Sequence, residues 1–340
     1  MVTKYREMNN FISKIRNEWE ASNKVAKYGN FVANNFIYKS IIFIIAKRKI
    51  NNIRESRRYN IALELSSFCN GKCFFCPNSK MKRNKSNMSM EIFDKVVERM
   101  KIEKILPMHI NLTGTGEPLM DKTIFQKIEI LKNNFPDANV YLPTNFALAD
   151  DEIIDKLVNS KLNSVAVSLN ANNARDYKNI MKLDFDKTIK NLENLIKKRN
   201  YKKSLLKIYI TLAANPINKK SVNEFIKFWE GKVDGVGINW IHSWAGAVNN
   251  GKIYKKNQIR YPCRPLFEQI IVHSNGNIPL CLVDYEGKFV GGNVMKNGIL
   301  DSFYGESINK IREKHLSGKI GGIEMCSQCR FSERGFYWLV

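Results

Sequence analysis

The sequence predicts an α/β protein. Its expected core is a partial (β/α)6, TIM-like barrel, with a small C-terminal α+β domain behind it and a helical extension in front. Three observations carry this. Short apolar runs alternate with helical patterns of about 10–15 residues from residue 60 to residue 241. That rhythm stops near residue 255. The first 60 residues differ from both parts, with thirteen Lys and Arg against four Glu. The expected domains are therefore 1–58, 59–254 and 255–340.

The elements follow in order. Ile61, Leu63 and Leu65 alternate as a strand does, and 89–101 reads as a helix. Ile110 and Leu112 open a second strand before a helix near 121–134. "NVYLPTN" precedes a helix near 150–160, and "SVAVSLN" one near 184–199. "LLKIYITLA" precedes a helix near 218–230, and "VDGVGINWI" supplies a sixth strand, Val233 to Ile241. Such alternation implies parallel strands with right-handed crossovers, as an open doubly wound sheet or an incomplete barrel. Either way ligands gather at the carboxyl ends of the strands. Beyond 255, "QIIVHSNGNIPLCLVDYEGKFVGGNV" reads as short strands with turns at Asn275–Gly276 and Glu286–Gly287.

Composition bounds the function. With 340 residues, 44% hydrophobic and 26% charged, the chain is neither disordered, fibrous nor a multi-span membrane protein. Seven cysteines cannot all pair. The opening "MVTKYREMNNF" lacks the apolar stretch of a secretory signal, so a reducing cytoplasm is expected, where clustered cysteines mean metal or catalysis. The net charge of +23 would suit a polyanion, but the lysines are scattered and no nucleic-acid recognition motif accompanies them. "FIYKSIIFIIAKRKI", Phe36 to Ile50, joins an apolar run of about eleven residues to Lys47, Arg48 and Lys49. The run is far short of the roughly 20 residues of a spanning helix. It permits peripheral contact with an anionic membrane, while packing against the main domain is the favoured reading.

The chemistry lies in the cysteines. Cys69, Cys73 and Cys76 follow the first strand as C-x3-C-x2-C. A closed structural zinc site takes four ligands. Three close thiolates suit a [4Fe–4S] cluster with one iron left free. This stretch, with Phe75 before the last cysteine, resembles the signature of the radical S-adenosylmethionine (SAM) enzymes. The resemblance implies that the free iron chelates SAM, and that an electron from the cluster releases a 5′-deoxyadenosyl radical that takes hydrogen from substrate. "TGTGEPL", Thr113 to Leu119, is similar to the family's GGEP segment, with Thr115 in place of the first glycine. It implies contacts from Gly116 and Glu117 to the cofactor's amino group. Asn145 in "PTN", and Ser168 and Asn170 in "SLN", look like the family's polar cofactor contacts.

The remaining cysteines are Cys263, Cys281, Cys326 and Cys329, the last two spaced C-x2-C. Four cysteines also suit structural zinc. Their surroundings resemble the family's SPASM or twitch extension, which implies one auxiliary [4Fe–4S] cluster. Three and four account for all seven. No thiol is left to return a hydrogen atom, which argues against epimerisation and for oxidation, the auxiliary cluster taking the electron. Dehydrogenation of a sugar- or cyclitol-like alcohol fits, as in the family's aminocyclitol dehydrogenases. A ribosomal-peptide maturase is the alternative, and a non-catalytic iron–sulfur scaffold a further one. The expected partners are a low-potential donor, flavodoxin or ferredoxin, and a small-molecule or carbohydrate substrate, with a peptide as the other class. His242, past the sixth strand, is the candidate proton acceptor. Arg264 and Asp284 suit a structural ion pair.

Overall fold

A computed structural model describes residues 36–248, 260–329, 331–333 and 338. The expectations for residues 1–35, and the domain boundary at 254/255, lie outside the described residues.

Seven parallel strands form one open sheet in the order β6-β5-β4-β3-β2-β1-β7. They are β1 (Arg58–Leu63), β2 (Leu106–Asn111), β3 (Asn139–Thr144), β4 (Ser164–Ser168), β5 (Lys207–Ala214), β6 (Gly235–Trp240) and β7 (Gln269–Val272). In β3 and β5 alternate residues are buried: Val140 and Leu142, then Ile208, Ile210 and Leu212. These aliphatic side chains face the helices. The other face carries Tyr141, Tyr209 and Thr211, which are only partly buried. Period-two alternation thus gives the sheet a dry outer face and an open inner one.

The covering helices are α2 (Met90–Ile102), α3 (Ile124–Asn134), α4 (Asp151–Asn159), α5 (Ala174–Met181), α6 (Phe185–Tyr201) and α7 (Val222–Trp229), preceded by α1 (Phe36–Ser56). Helix α2 buries Phe93, Val96, Val97 and Met100, spaced as one helical face requires. The side chains of Ser89, Asp150, Asn173 and Asp184 each accept a backbone N–H at a helix start. Each such cap contributes about 1 kcal/mol. Helix α5 was not anticipated: "ARDYKNIM" is too short and polar to declare an apolar stripe, yet Tyr177, Ile180 and Met181 are buried.

The C-terminal region corrects one expectation. The "QIIV" run does not stay with the short strands that follow it. It pairs parallel with β1, Ile61 beside Ile270 and Leu63 beside Val272, and becomes the seventh strand of the main sheet. The chain therefore crosses from one sheet edge to the other after β6. The short hairpin is β8 (Asn277–Pro279) with β9 (Val290–Asn293), and the turn glycines Gly276 and Gly287 have φ of +82° and +69°. Small helices complete the region: α8 (Pro265–Glu268), α9 (Ile299–Phe303), α10 (Glu306–Leu316) and α11 (Glu324–Ser327).

Helix α1 packs one face, Ile42 and Ala46, into a core with Tyr261, Leu266, Phe267, Leu280 and Trp338. Its neighbours are thus mainly C-terminal residues. Its other face exposes Ile41, Ile44, Lys47 and Arg48. Among the described residues no helix is long and apolar enough to cross a membrane.

Candidate functional site

Cys69, Cys73 and Cys76 stand on the loop that leaves the carboxyl end of β1. Backbone hydrogen bonds stitch that loop to its surroundings. The N–H groups of Lys72 and Phe74 donate to the carbonyls of Met181 and Ile180 at the end of α5, at 3.0 and 3.2 Å, and Glu117 N–H donates to Phe68 O at 2.7 Å. Asn78 Nδ2 donates to Ser67 O at 2.9 Å and Thr115 O at 3.0 Å, joining the loop to the GTGEP turn. Gly116 is demanded by this closeness. A Cβ there would lie 2.1 Å from Ser66 O and 2.6 Å from Phe68 O.

Burial dominates the chemistry of these thiols. It pushes Cys69 up to about 11 and raises Cys73 and Cys76, and the neighbouring cysteines add to the rise at Cys69 and Cys73. The Lys85 ammonium, bonded to Asn78 Oδ1 at 2.9 Å, opposes it at Cys69 and Cys76. Bare thiols therefore stay protonated at neutral pH, and metal would bind by displacing those protons.

Glu117 is buried beside the loop. Its Oε1 accepts from Leu119 N–H at 3.1 Å and Thr144 Oγ1 at 2.6 Å, and its Oε2 from Asn145 N–H at 2.7 Å. Burial outweighs these bonds and pushes the carboxyl up to about 7. Asn145 in turn donates through Nδ2 to Asn70 Oδ1 on the cysteine loop at 2.8 Å. So Glu117, Asn145 and the cysteines come together. Ser168 lies on the open face, its Oγ accepting from Thr211 Oγ1 at 3.4 Å. Asn170 is placed otherwise. It has φ of +57°, accepts Ala213 N–H through Oδ1 at 2.7 Å, and points Nδ2 at Met181 Sδ, bracing β4 against β5 and α5.

Cys263, Cys281, Cys326 and Cys329 line one cavity of about 110 Å³, walled by Leu266, Leu280 and Met325. Burial raises the thiols of Cys263, Cys281 and Cys326, the last to about 12, and the neighbouring cysteines add to it. Arg260 caps the C-x2-C turn, donating to the carbonyls of Ser327, at 2.6 Å, and of Cys326 and Cys329. His315, buried against Cys326 Sγ at 3.4 Å, is held neutral, with its pKa lowered to about 4 by burial and then by Arg260.

Both donor sets are all sulfur, three on one loop and four on one cavity, which is the chemistry that iron–sulfur clusters select. Among the described residues no three Cys, His, Asp or Glu side chains close on a single point for one metal ion. Cluster ligands stand further apart, because each thiolate bonds a different iron.

His242 does not face the first cysteine set. It lines the auxiliary cavity, its ring 4.4 Å from that of Trp244, and its Nδ1 accepts Trp244 N–H at 3.2 Å. Phe75 packs edge-to-face on Phe74, and its carbonyl accepts from Trp244 Nε1 at 3.0 Å. Trp244, in left-handed backbone conformation at φ +48°, thus ties the first cysteine loop to the second cavity. Arg264 donates to Glu268 at 2.8 Å, and Asp284 accepts the N–H groups of Lys288 and Phe289.

A polar hub that the motifs gave no hint of sits at the end of β1. Buried Glu64 accepts from Arg83 at 2.9 Å, Thr115 Oγ1 at 3.0 Å and Ser274 N–H at 3.1 Å. Burial alone would raise its carboxyl, but its charged and hydrogen-bonding partners hold it below its ordinary value. Lys85, Trp244, Arg260 and His315 carried no motif either. Their roles follow from partners distant in sequence.

Comparison with known proteins agrees with this geometry. Residues 63–228 match the radical SAM superfamily, and residues 263–330 match the SPASM iron–sulfur cluster-binding domain. A probable GTP 3′,8-cyclase of Methanocaldococcus jannaschii is 27% identical over 174 residues, covering 50% of this chain. The match spans 54% of that relative, about half its length. The crystal structure of BtrN in complex with AdoMet and 2-DOIA has a TM-score of 0.56 at 18% identity, covering 80% of this chain and 92% of that one. Streptococcus suis SuiB bound to precursor peptide SuiA has 0.61 at 17%, covering 78% and 70%. At these identities the two structures share the fold.

Proposed function

We propose that this radical SAM enzyme with a C-terminal SPASM domain carries out a net two-electron oxidation of a substrate C–H, at a carbinol carbon of a sugar- or cyclitol-like alcohol. One observation carries the reading: the seven cysteines divide between two sites, three and four, with no thiol left over. Cys69, Cys73 and Cys76 would hold the SAM-binding [4Fe–4S] cluster, and Cys263, Cys281, Cys326 and Cys329 the auxiliary one. When bound, SAM and these clusters supply hydrogen-atom abstraction and a one-electron acceptor. The balance is then complete. One hydrogen atom would leave the substrate carbon and one proton its hydroxyl, and a cluster held by Cys263, Cys281, Cys326 and Cys329 would supply the acceptor for the one electron.

The chain's own residues do the rest. Asn111, Tyr141, Ser168, Tyr209, Thr211 and Asn239 are incompletely buried on the strands of the open sheet. Their amide and hydroxyl groups suit a neutral, polyhydroxylated molecule. Glu117 is proposed to grip the cofactor's ammonium group, with Gly116, Phe75, Asn145 and Ser168 as its proposed surroundings and Asn170 bracing the strands behind Ser168. His242, on the auxiliary wall, is the proposed proton acceptor. A low-potential flavodoxin or ferredoxin is the proposed donor, and the cytoplasm the proposed setting. The exposed Ile41, Ile44, Lys47 and Arg48 of α1 are proposed to touch anionic membrane.

The test uses anaerobically reconstituted enzyme, SAM and reduced flavodoxin with deuterated aminocyclitols and sugars. Label should enter 5′-deoxyadenosine, and the product should be lighter by two hydrogens. A product of unchanged mass that carries solvent deuterium means epimerisation and sinks the cysteine reasoning. The second reading, peptide modification, draws on the fold shared with peptide-bound SuiB. Turnover of a precursor peptide with no turnover of any alcohol would establish it instead.

A further inference from the structure

We infer that His315 donates an N–H···S hydrogen bond to the Cys326 thiolate and thereby raises the reduction potential of the auxiliary cluster. The tautomer follows from geometry. His315 sits in the last turn of α10 with 1% of its surface exposed. Its Nδ1 faces the backbone N–H of Cys263 at 3.3 Å, a group that can only donate. Nδ1 must therefore accept, and the ring proton of the neutral imidazole is on Nε2. Nε2 lies 3.4 Å from Cys326 Sγ. One ring thus touches two of the four cysteines, receiving at Cys263 and giving at Cys326.

The consequence is electrostatic. A donor pointed at a ligand sulfur draws electron density from it, and does so more strongly when the cluster carries the extra electron. The reduced state is favoured, so the site accepts an electron more readily. His315 is a positioning residue in this sense. It touches the cluster's ligand, not the substrate. The inference rests on the four cysteines holding a redox-active cluster and not on which substrate is oxidised.

The experiment uses full-length protein carrying Cys69→Ala, Cys73→Ala and Cys76→Ala, so that the auxiliary cluster alone is observed. Redox titration followed by electron paramagnetic resonance compares His315 with His315→Phe and His315→Gln. The Phe variant should be harder to reduce by about tenfold in the one-electron equilibrium, about 59 mV lower in midpoint. The Gln variant, which keeps an N–H, should recover most of that. An unchanged midpoint in the Phe variant at full iron content overturns the inference. If neither variant retains iron, the unsubstituted His315 decides, in 15N-histidine-labelled protein that also carries His242→Gln. A weak nitrogen coupling to the reduced cluster upholds the bond. No coupling, or one large enough for a direct iron–nitrogen bond, overturns it. Because no substrate enters, a failed dehydrogenase reading would leave this result untouched.

Discussion

The two cysteine sets are built in opposite ways. Cys69, Cys73 and Cys76 lie within eight residues, on a loop whose position a strand end dictates. Cys263, Cys281, Cys326 and Cys329 span 67 residues, a stretch that also holds β7, β8, β9 and four small helices. The first set is ringed by polar groups: Asn70, Lys85, Glu117 and Asn145. The second is closed by Leu266, Leu280, Met325 and Phe331, with Arg260 and His315 reaching in. The difference teaches how the two sites divide their work. A three-thiol loop amid polar groups leaves room for a cofactor. A four-thiol cavity with apolar walls offers a closed, all-sulfur donor set.

The sharpest test separates them outright. Replacing Cys69, Cys73 and Cys76 with Ala should leave about four of about eight irons and abolish SAM cleavage. Replacing Cys326 and Cys329 should remove the other four and leave reductive SAM cleavage in place, uncoupled from product. Iron and zinc analysis with 5′-deoxyadenosine assay checks both. Zinc in the second site of natively purified protein would break the comparison.

Gly116→Ala is next. Its Cβ must push into Ser66 O, on the rigid start of the first loop. A loss of about 2–3 kcal/mol is expected from the clash, with the first cluster lost before the second on heating. Thermal melts with iron analysis of each fraction would show it. Simultaneous loss of both clusters would mean that the two sites unfold as one.

Glu117 gives a smaller effect with a defined pH window. Burial raises its folded pKa from 4.5 to about 7. An acid raised in the fold is penalised when charged. That penalty is absent below about pH 4.5, grows as pH rises, and is complete above about pH 7. His273 and His315, both lowered to about 4, act in the opposite sense, since the unfolded chain takes up their protons as pH falls below about 6.5. The difference between wild type and Glu117→Gln isolates the carboxyl. Relative to the variant, cofactor-free wild type should lose stability from pH 4.5 to 7. Its affinity for SAM should rise over the same range as the carboxylate forms, while that of the variant stays flat. Calorimetry at several pH values checks both slopes. Equal slopes in the two proteins would make Glu117 a turn residue only.

The smallest effect belongs to α1, which packs mainly against C-terminal residues. Flotation with vesicles of anionic lipid should be weak and should fall further in Ile41→Ser, Ile44→Ser protein. Equal flotation would leave the helix as a packing element.

Much of this was legible in the chain. Strand alternation, helix caps and the C-x3-C-x2-C loop are written within a few residues, because hydrogen bonding and side-chain direction act locally. The order of the first six strands followed from that. Short polar α5 was missed because its burial depends on neighbours and not on its own pattern. Asn170 was assigned by resemblance and His242 by its distance past a strand end, and neither says where a side chain turns. The left-handed backbone at Asn170 aims it into the scaffold, and His242 lies on the auxiliary wall.

What the sequence determined alone is the fold class, the first sulfur donor set and the glycine at the turn, because each is fixed by residue type and short spacing; the second set was read from a resemblance, not from spacing. What only the tertiary structure decided is how the two sets are joined and tuned. It set "QIIV" beside β1, placed Trp244 between the two regions, gathered Arg83, Thr115 and Ser274 onto Glu64, and put His315 against Cys326. These are contacts between residues 11 to 210 positions apart in the chain. They form only once the sheet has brought its two edges and the C-terminal helices together, and no local propensity encodes them.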